Sequence, residues 1–301
     1  MKTIRLATRG SDLALAQTRA VARLLREAHP ELEVVESIIR TSGDRDKEAD
    51  LSKSSSPGLF TKELEAALLD HRADAAVHSL KDLPTVLPEG LALAAVLPRA
   101  DSADVLVSMR PGGLAGLSAG SRVGTGSPRR QAMLLAARHD LAVLPIRGNV
   151  PTRLAKLAAG QYDAIILAAA GLVRLGHPAS GTLPCDGLTL HIDMLETFLP
   201  APGQGAVAVE VRAGDGDTAT VVAALHDEAT DAAVRAEREV LRASGGGCHM
   251  ALGAKARFVD GELHLEAVVF DAAENSPRHA SARGKNPEAL GRAVAAKLHD
   301  R

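Results

Sequence analysis

Residues 3–40 read TIRLATRGSDLALAQTRAVARLLREAHPELEVVESIIR, and this stretch decides the fold. Residues 3–8 read as a strand. Ser11 then has the side chain of a helix N-cap, and the helix it opens is stopped at His29-Pro30. Residues 33–40 form a second strand, so the segment is a βαβ unit and implies a parallel sheet with helices on its faces. The punctuation continues: a helix over 60–70, with Phe60, Leu64, Ala67 and Leu68 at helical spacing, and then short apolar strands over 73–78 and 91–97.

The pattern restarts after Pro98. Strands are expected over 105–108, 122–124, 141–146 and 164–168, with helices over 128–138 and 151–159. Ser127 is a good N-cap, and Pro128 occupies the first helical position, where its missing N–H costs nothing. Residues 178–203, rich in Pro and Gly, read as connection, and 206–212 as one more strand whose sheet the sequence alone does not identify. The last part differs. A helix over 230–243 ends at Gly245-Gly246-Gly247, Asp260-Gly261 marks a hairpin between strands 255–259 and 262–270, and a helix over 287–299 closes the chain. The fold class is therefore α/β, with two units of similar size and a small C-terminal α+β domain. Residues 43–58 (GDRDKEADLSKSSSPG) are long and charged for a loop inside a compact domain and are expected to act as a lid, the alternative being a solvated loop without a role.

Composition bounds the function. The 301 residues carry 35 Lys+Arg against 37 Asp+Glu, a formal net charge of -2, which excludes a bulk attraction to nucleic acid or to an anionic membrane. With no Trp, one Tyr and four Phe, a base-stacking platform is excluded too. Cys185 and Cys248 cannot build a disulfide scaffold, and there is no apolar leader or membrane-length span, so a soluble cytoplasmic protein is expected. No Walker A, HExxH or paired CxxC motif is present, and no metal site is expected.

The chemistry is expected where open α/β sheets place ligands, beyond the carboxyl ends of the strands. Arg9 and Ser11 follow the first strand, Thr41 and Asp44 the second, and His78, Ser79, Lys81 and Asp82 the third. Thr125, Ser127, Arg129 and Arg130 follow a strand of the second unit, and then come Arg147, Arg153 and Arg174. Six arginines and a lysine at strand ends and helix starts, in a chain that is net acidic, point to a ligand with several carboxylates or phosphates. Asp82 is the odd charge among these cations. It is either a structural partner of Lys81 or a carboxylate that holds a ring N–H and steadies a developing cation. Cys248, after three glycines, is either a small buried hydrophobe or a reactive thiol.

At these residues the chain resembles the hydroxymethylbilane synthase family, also called porphobilinogen deaminase. The resemblance runs essentially end to end. It is carried by residues 7–11 (ATRGS), 58–65 (GLFTKELE), 76–84 (AVHSLKDLP), 124–131, 147–154 (RGNVPTRL), 162–176, 202–206 (PGQGA) and 246–248 (GGC). It implies two lobes like those of periplasmic binding proteins, with mainly parallel sheets. The domains would be 1–98 with 203–220, then 99–202, then a cofactor-attachment domain over 221–301, and the strand after Gln204 would rejoin the first lobe.

The activity implied is the stepwise head-to-tail condensation of four porphobilinogen molecules with release of ammonia, followed by hydrolytic release of the linear tetrapyrrole hydroxymethylbilane. The implied cofactor is a dipyrromethane joined through a thioether to Cys248, which primes the chain. Carried over by motif, Asp82 is the catalytic carboxylate. Ser11, Lys81, Asp82, Thr125, Ser127, Arg129, Arg130, Arg147 and Gly148 bind the cofactor. Arg9, Ser11, Arg147, Arg153, Arg174, Phe60 and Gln204 bind the substrate. A monomer is implied, with no nucleic-acid or membrane partner. The chain departs from the family pattern at Gly126 and Pro128, in GTGSPRR, and at Pro57 in the lid, where Lys53 is kept. The competing readings are a cytosolic two-lobed protein that binds polycarboxylates without catalysis, and a thiol-nucleophile transferase or hydrolase, for which His249 is too near Cys248 in sequence to be a persuasive partner.

Overall fold

The computed structural model describes residues 1–40, 61–246, 250–270 and 276–300. The expected lid 43–58, the strand-end residues Thr41 and Asp44, and the expected site residues Phe60 and Cys248 lie outside the described residues. In chain order, β1 (Thr3–Arg9) is followed by α1 (Asp12–Ala28), β2 (Glu33–Ile39), α2 (Lys62–Leu69), β3 (Ala75–Ser79), a 3-10 turn at Leu80–Asp82, and β4 (Leu91–Val96). Next come β5 (Asp104–Ser108), β6 (Arg122–Gly124), α3 (Pro128–Ala137), β7 (Ala142–Leu144), α4 (Val150–Ala158), β8 (Ala164–Ala168), α5 (Ala169–Arg174), β9 (Gly181–Cys185) and β10 (Leu188–Met194). The chain closes with β11 (Val207–Arg212), α6 (Gly216–Ala223), α7 (Glu228–Ala243), β12 (Leu252–Val259), β13 (Glu262–Val269), β14 (Arg278–Gly284) and α8 (Pro287–His299). These elements form two compact units, Met1–Ala100 with Ala206–Arg235, and Asp101–Gly205 with Ala236–Arg301.

The first unit is built on a sheet of order β2-β1-β3-β11-β4. β1 runs parallel to β2 and β3, as the βαβ reading requires, and β11 enters antiparallel between β3 and β4. Both faces of the sheet are covered, which is why β1 is apolar without strict alternation. On one face Ile4 and Leu6 pack with Val21, Leu25, Val77 and Val209, and on the other Ala7 and Ala76 pack with Leu64, Ala67 and Leu68 of α2. α1 forms where Ser11 caps it, its hydroxyl accepting from the Ala14 N–H at 3.4 Å. The buried residues of α1, Gln17, Thr18, Val21, Ala22 and Leu25, recur at helical spacing along one stripe.

The second unit has a mixed sheet of order β7-β6-β8-β5-β10-β9. Its parallel heart is β7-β6-β8, and β5, β10 and β9 extend it antiparallel. Residues 178–203, expected as connection, contain the β9–β10 hairpin. The correction has a local cause: Asp186 and Gly187 both take positive φ, 49° and 79°, the geometry of a two-residue hairpin turn. Pro184 argued against a strand, but β9 is the sheet edge, where a missing N–H is tolerated. Three further elements were not expected: the short helix α5, directly after β8, and α6 and β14. α6 is a short helix capped by Asp215, and β14 has a polar, alternating pattern (RHASARG) that fits an edge strand with one solvated face.

β12, β13 and β14 form a three-stranded antiparallel sheet with α8 on one face. Within this unit β12 is held close to α3. A side chain at Gly253 would put its Cβ 2.7 Å from the Leu199 carbonyl oxygen and 2.8 Å from the Met133 Cε. No helix among the described residues is long and apolar enough to cross a membrane.

Gly253→Ala is therefore expected to destabilise the protein by about 1–3 kcal/mol through overpacking, because the nearest atom is a backbone oxygen that cannot rotate away. Urea unfolding measures it, and an unchanged midpoint would contradict the close approach.

Candidate active site

The first unit places its expected site residues at the carboxyl ends of adjacent parallel strands. Arg9 ends β1, and Ser11 lies in the turn that follows and caps α1. Lys81 and Asp82 lie in the 3-10 turn directly after β3, and Asp82 is exposed there. The two strand ends are tied together by a residue that the sequence reading did not single out. Gln17, buried in α1, donates through Nε2 to the Ser79 hydroxyl at 2.9 Å, and that hydroxyl donates back to Gln17 Oε1 at 3.1 Å. A long amide side chain on the buried stripe of α1, ahead of Val21, Ala22 and Leu25, was the available signal.

His78, expected among the strand-end residues, turns inward. Its Nε2 lies 3.0 Å from Glu210 Oε2, and both side chains are buried. Glu65 is buried beside them. Desolvation raises its carboxyl above the usual range, against the opposing pull of the Thr61 hydroxyl. The His78–Glu210 contact joins β3 to β11.

The second unit gathers its residues around one carboxylate. Ser127 caps α3 by accepting from the Arg130 N–H at 3.4 Å, with Pro128 at the first turn. The Thr125 hydroxyl accepts from the Ser127 N–H at 3.2 Å. These bonds fix the start of α3 so that Arg129 and Arg130 both point inward. Asp104, fully buried at the start of β5, receives Arg130 Nε at 3.0 Å and Arg130 Nη2 at 2.6 Å on Oδ1, while Arg129 Nη2 lies 2.7 Å from Oδ2. Gln204 Nε2 donates to the same Oδ1 at 2.8 Å and to the Ser102 carbonyl at 2.7 Å. Arg129 Nη1 donates to the Leu199 carbonyl at 2.6 Å, and Arg130 Nη1 to the Ile166 carbonyl at 3.1 Å.

One carboxylate thus faces two guanidinium groups, where Arg129 is only 3% exposed. The buried Arg129 Nε has no hydrogen-bond partner among the described residues. Burial lowers the Arg129 guanidinium below its ordinary value despite the attraction of Asp104. Burial alone would raise Asp104, but the charges of Arg130 and Arg129 and the hydrogen bonds from Arg130 and Gln204 hold it far below the carboxylate range. Such a cluster carries a surplus of buried positive charge and an orphaned donor, and both favour an anionic oxygen as a further partner.

The remaining arginines lie at other ends of the same sheet. Arg147 follows β7, and Gly148 takes φ +109°, where a Cβ would also lie 2.7 Å from Thr152 Cγ2. Asn149 caps α4 by accepting from the Thr152 N–H at 3.0 Å, and Arg153 Nε donates to the Gly148 carbonyl at 2.8 Å. Arg174 closes α5 and donates to the Gly205 carbonyl at 2.7 Å, and its guanidinium is lowered by burial. The sequence reading missed Asp104, although an acid opening an apolar strand (Asp-Val-Leu-Val) is the signal of a buried charge that must be paired.

A family model described as "Porphobilinogen deaminase, dipyromethane cofactor binding domain" matches residues 4–220, and one described as "Porphobilinogen deaminase, C-terminal domain" matches residues 232–300. A porphobilinogen deaminase of Xanthomonas axonopodis pv. citri is 48% identical over 303 residues, covering 100% of this chain and 97% of that protein. One of Moorella thermoacetica is 47% identical over 300 residues, covering 99% of this chain and 93% of its own length. Among solved structures, the BvgS VFT2 domain of Bordetella pertussis (double mutant F375E/Q461E) is similar over 76% of this chain and 89% of its own, at 17% identity and a TM-score of 0.44.

Replacing Asp104 leaves two buried guanidinium groups without their counter-charge, and Asp104→Asn is expected to cost about 3–5 kcal/mol at neutral pH. The sign with pH follows from the lowered carboxyl. Its contribution is complete above the unfolded value of about 4 and is lost as the pH falls toward the folded one. Urea unfolding of the wild type should therefore weaken below that pH more steeply than that of Asp104→Asn, and equal slopes would contradict the pairing.

Proposed function

This chain belongs to the porphobilinogen deaminase family, and we infer from that premise that it is a hydroxymethylbilane synthase, a transferase of tetrapyrrole (haem) biosynthesis. It joins porphobilinogen units head to tail with loss of ammonia, and its cofactor is a dipyrromethane. Both are consistent with the strand-end cations, since each porphobilinogen unit bears two carboxylates and the growing chain accumulates negative charge.

The roles of individual residues follow as proposals. The observation that best supports them is the Arg129–Asp104–Arg130 cluster, whose surplus charge and Arg129 Nε, without a hydrogen-bond partner among the described residues, suit a carboxylate-bearing group. Arg129 and Arg130, with Thr125, Ser127, Arg147 and Gly148 from the same unit, would hold the dipyrromethane, together with Ser11 and Lys81 of the first unit. When bound through Cys248, the cofactor supplies a pyrrole carbon to which the first porphobilinogen unit is added. Arg9, Ser11, Arg147, Arg153, Arg174, Phe60 and Gln204 would bind the carboxylates and ring of the incoming substrate, so that the departing amine is oriented before the C–N bond breaks.

Asp82 would accept the pyrrole N–H of the substrate and steady the positive charge that develops as ammonia leaves. Its place on a short turn, anchored through Ser79 to Gln17, limits the distance over which the carboxylate can relax away from that charge. The reading further proposes a cytoplasmic monomer with three domains, 1–98 with 203–220, 99–202 and 221–301.

The intact mass of purified protein tests the cofactor. The expected result is the sequence mass plus a two-pyrrole adduct that disappears in Cys248→Ala, and an active protein at the bare sequence mass would refute the attachment. Asp82→Asn should leave the circular dichroism spectrum unchanged and lower porphobilinogen consumption by at least ~10²-fold, the scale of a positioned charge in the transition state. Turnover close to that of the wild type would remove Asp82 from the chemistry.

A further inference from the structure

The segment 199–205 contacts two of the arginines assigned to carboxylates and reaches a third through Asp104. The Leu199 carbonyl accepts from Arg129, the Gly205 carbonyl from Arg174, and the Gln204 side chain donates to Asp104, which holds both Arg129 and Arg130. Gly203 and Gly205 take φ of +75° and +87°, so the segment turns sharply and its shape depends on what holds it. Part of that hold comes from β12, where the Ala254 N–H donates to the Pro200 carbonyl at 2.9 Å. The other part comes from Glu237 of α7. This side chain is fully buried, its Oε2 accepts from the Gly203 N–H at 2.8 Å, and its Oε1 accepts from the Ala256 N–H of β12 at 2.8 Å.

We propose that Glu237 is a positioning residue for carboxylate binding: its carboxylate clamps the 199–205 turn to β12 and thereby sets Gln204, Asp104 and the arginines that lean on them. A carboxylate suits the task because it offers acceptors on both oxygens to two backbone donors, which no neutral side chain of the same size does. A longer reach is not needed, since both donors are already at hydrogen-bond distance. The clamp also links the turn to β12, which Gly253 lets approach the Leu199 carbonyl.

The inference rests on the assignment of Arg129, Arg130 and Arg174 to substrate and cofactor carboxylates. Glu237→Gln keeps the size of the side chain but turns an N–H donor toward one of the two backbone N–H groups. It is compared with the wild type, Gln204→Ala and the double variant, each as full-length protein. The measurements are KM and kcat for porphobilinogen, the fraction of chains carrying the two-pyrrole adduct by intact mass, and the thermal midpoint. The expected result is a KM raised tenfold or more, or a comparable fall in the fraction loaded, in Glu237→Gln and in Gln204→Ala. The double variant should be no worse than the more affected single one, because both act along the same path.

A role in stability alone would lower the midpoint and the active fraction, hence kcat, while leaving KM and loading unchanged. That outcome overturns the proposal, and so do effects of the two substitutions that multiply. Wild-type turnover with an unaffected Glu237→Gln sinks the positioning role alone, whereas a wild type without turnover or adduct sinks the functional assignment and this inference with it.

Discussion

One buried carboxylate, Asp104, carries the electrostatic organisation of the second unit. Taking a carboxylate and two guanidinium groups out of water costs several kcal/mol per ion, and the cost is recovered only where geometry and added hydrogen bonds are good. Here Oδ1 alone accepts from Arg130 twice and from Gln204, and the guanidinium groups spend further donors on the Leu199 and Ile166 carbonyls. The cluster is therefore well bonded but not neutral. Its surplus positive charge, with one Arg129 N–H that has no hydrogen-bond partner among the described residues, suits a further anionic partner, the place proposed for a ligand carrying carboxylates.

The first unit meets the same requirement differently. Its candidate groups lie at the open ends of parallel strands, where helix starts and short turns leave backbone N–H groups facing outward. Asp82 is exposed on its turn, and the strand that leads into that turn is held by the Gln17–Ser79 pair and the His78–Glu210 contact. The contrast matches the different tasks proposed. In that proposal a buried charge cluster would hold a group that stays bound through repeated additions, while an exposed carboxylate would remain accessible to each incoming unit.

Within the second unit the 199–205 turn connects these demands. It receives Arg129 and Arg174 on its carbonyls, gives Gln204 to Asp104, and is itself fixed by Glu237 and β12. Two glycines with positive φ make the turn possible, and Gly253, where a Cβ would strike the Leu199 carbonyl, lets β12 come close enough to hold it. Backbone groups and small residues far apart in the chain thus determine where the charged side chains point.

The βαβ order, the caps at Ser11 and Ser127, the strand-end positions of Arg9, Lys81, Asp82 and Arg147, and the family itself were legible in the sequence, because local propensity, turn chemistry and contiguous motifs are written in neighbouring residues. The β9–β10 hairpin and β14 were obscured, since proline and polar alternation look like loop until the sheet edge that tolerates them is known. Only the tertiary structure could show that Arg129 and Arg130 point inward onto Asp104, that His78 turns away from the strand end to meet Glu210, or that Glu237 reaches Gly203 and Ala256. The physical reason is common to all three. The energy of a buried polar group is set by partners distant in the chain, and no local pattern specifies which of them it will meet.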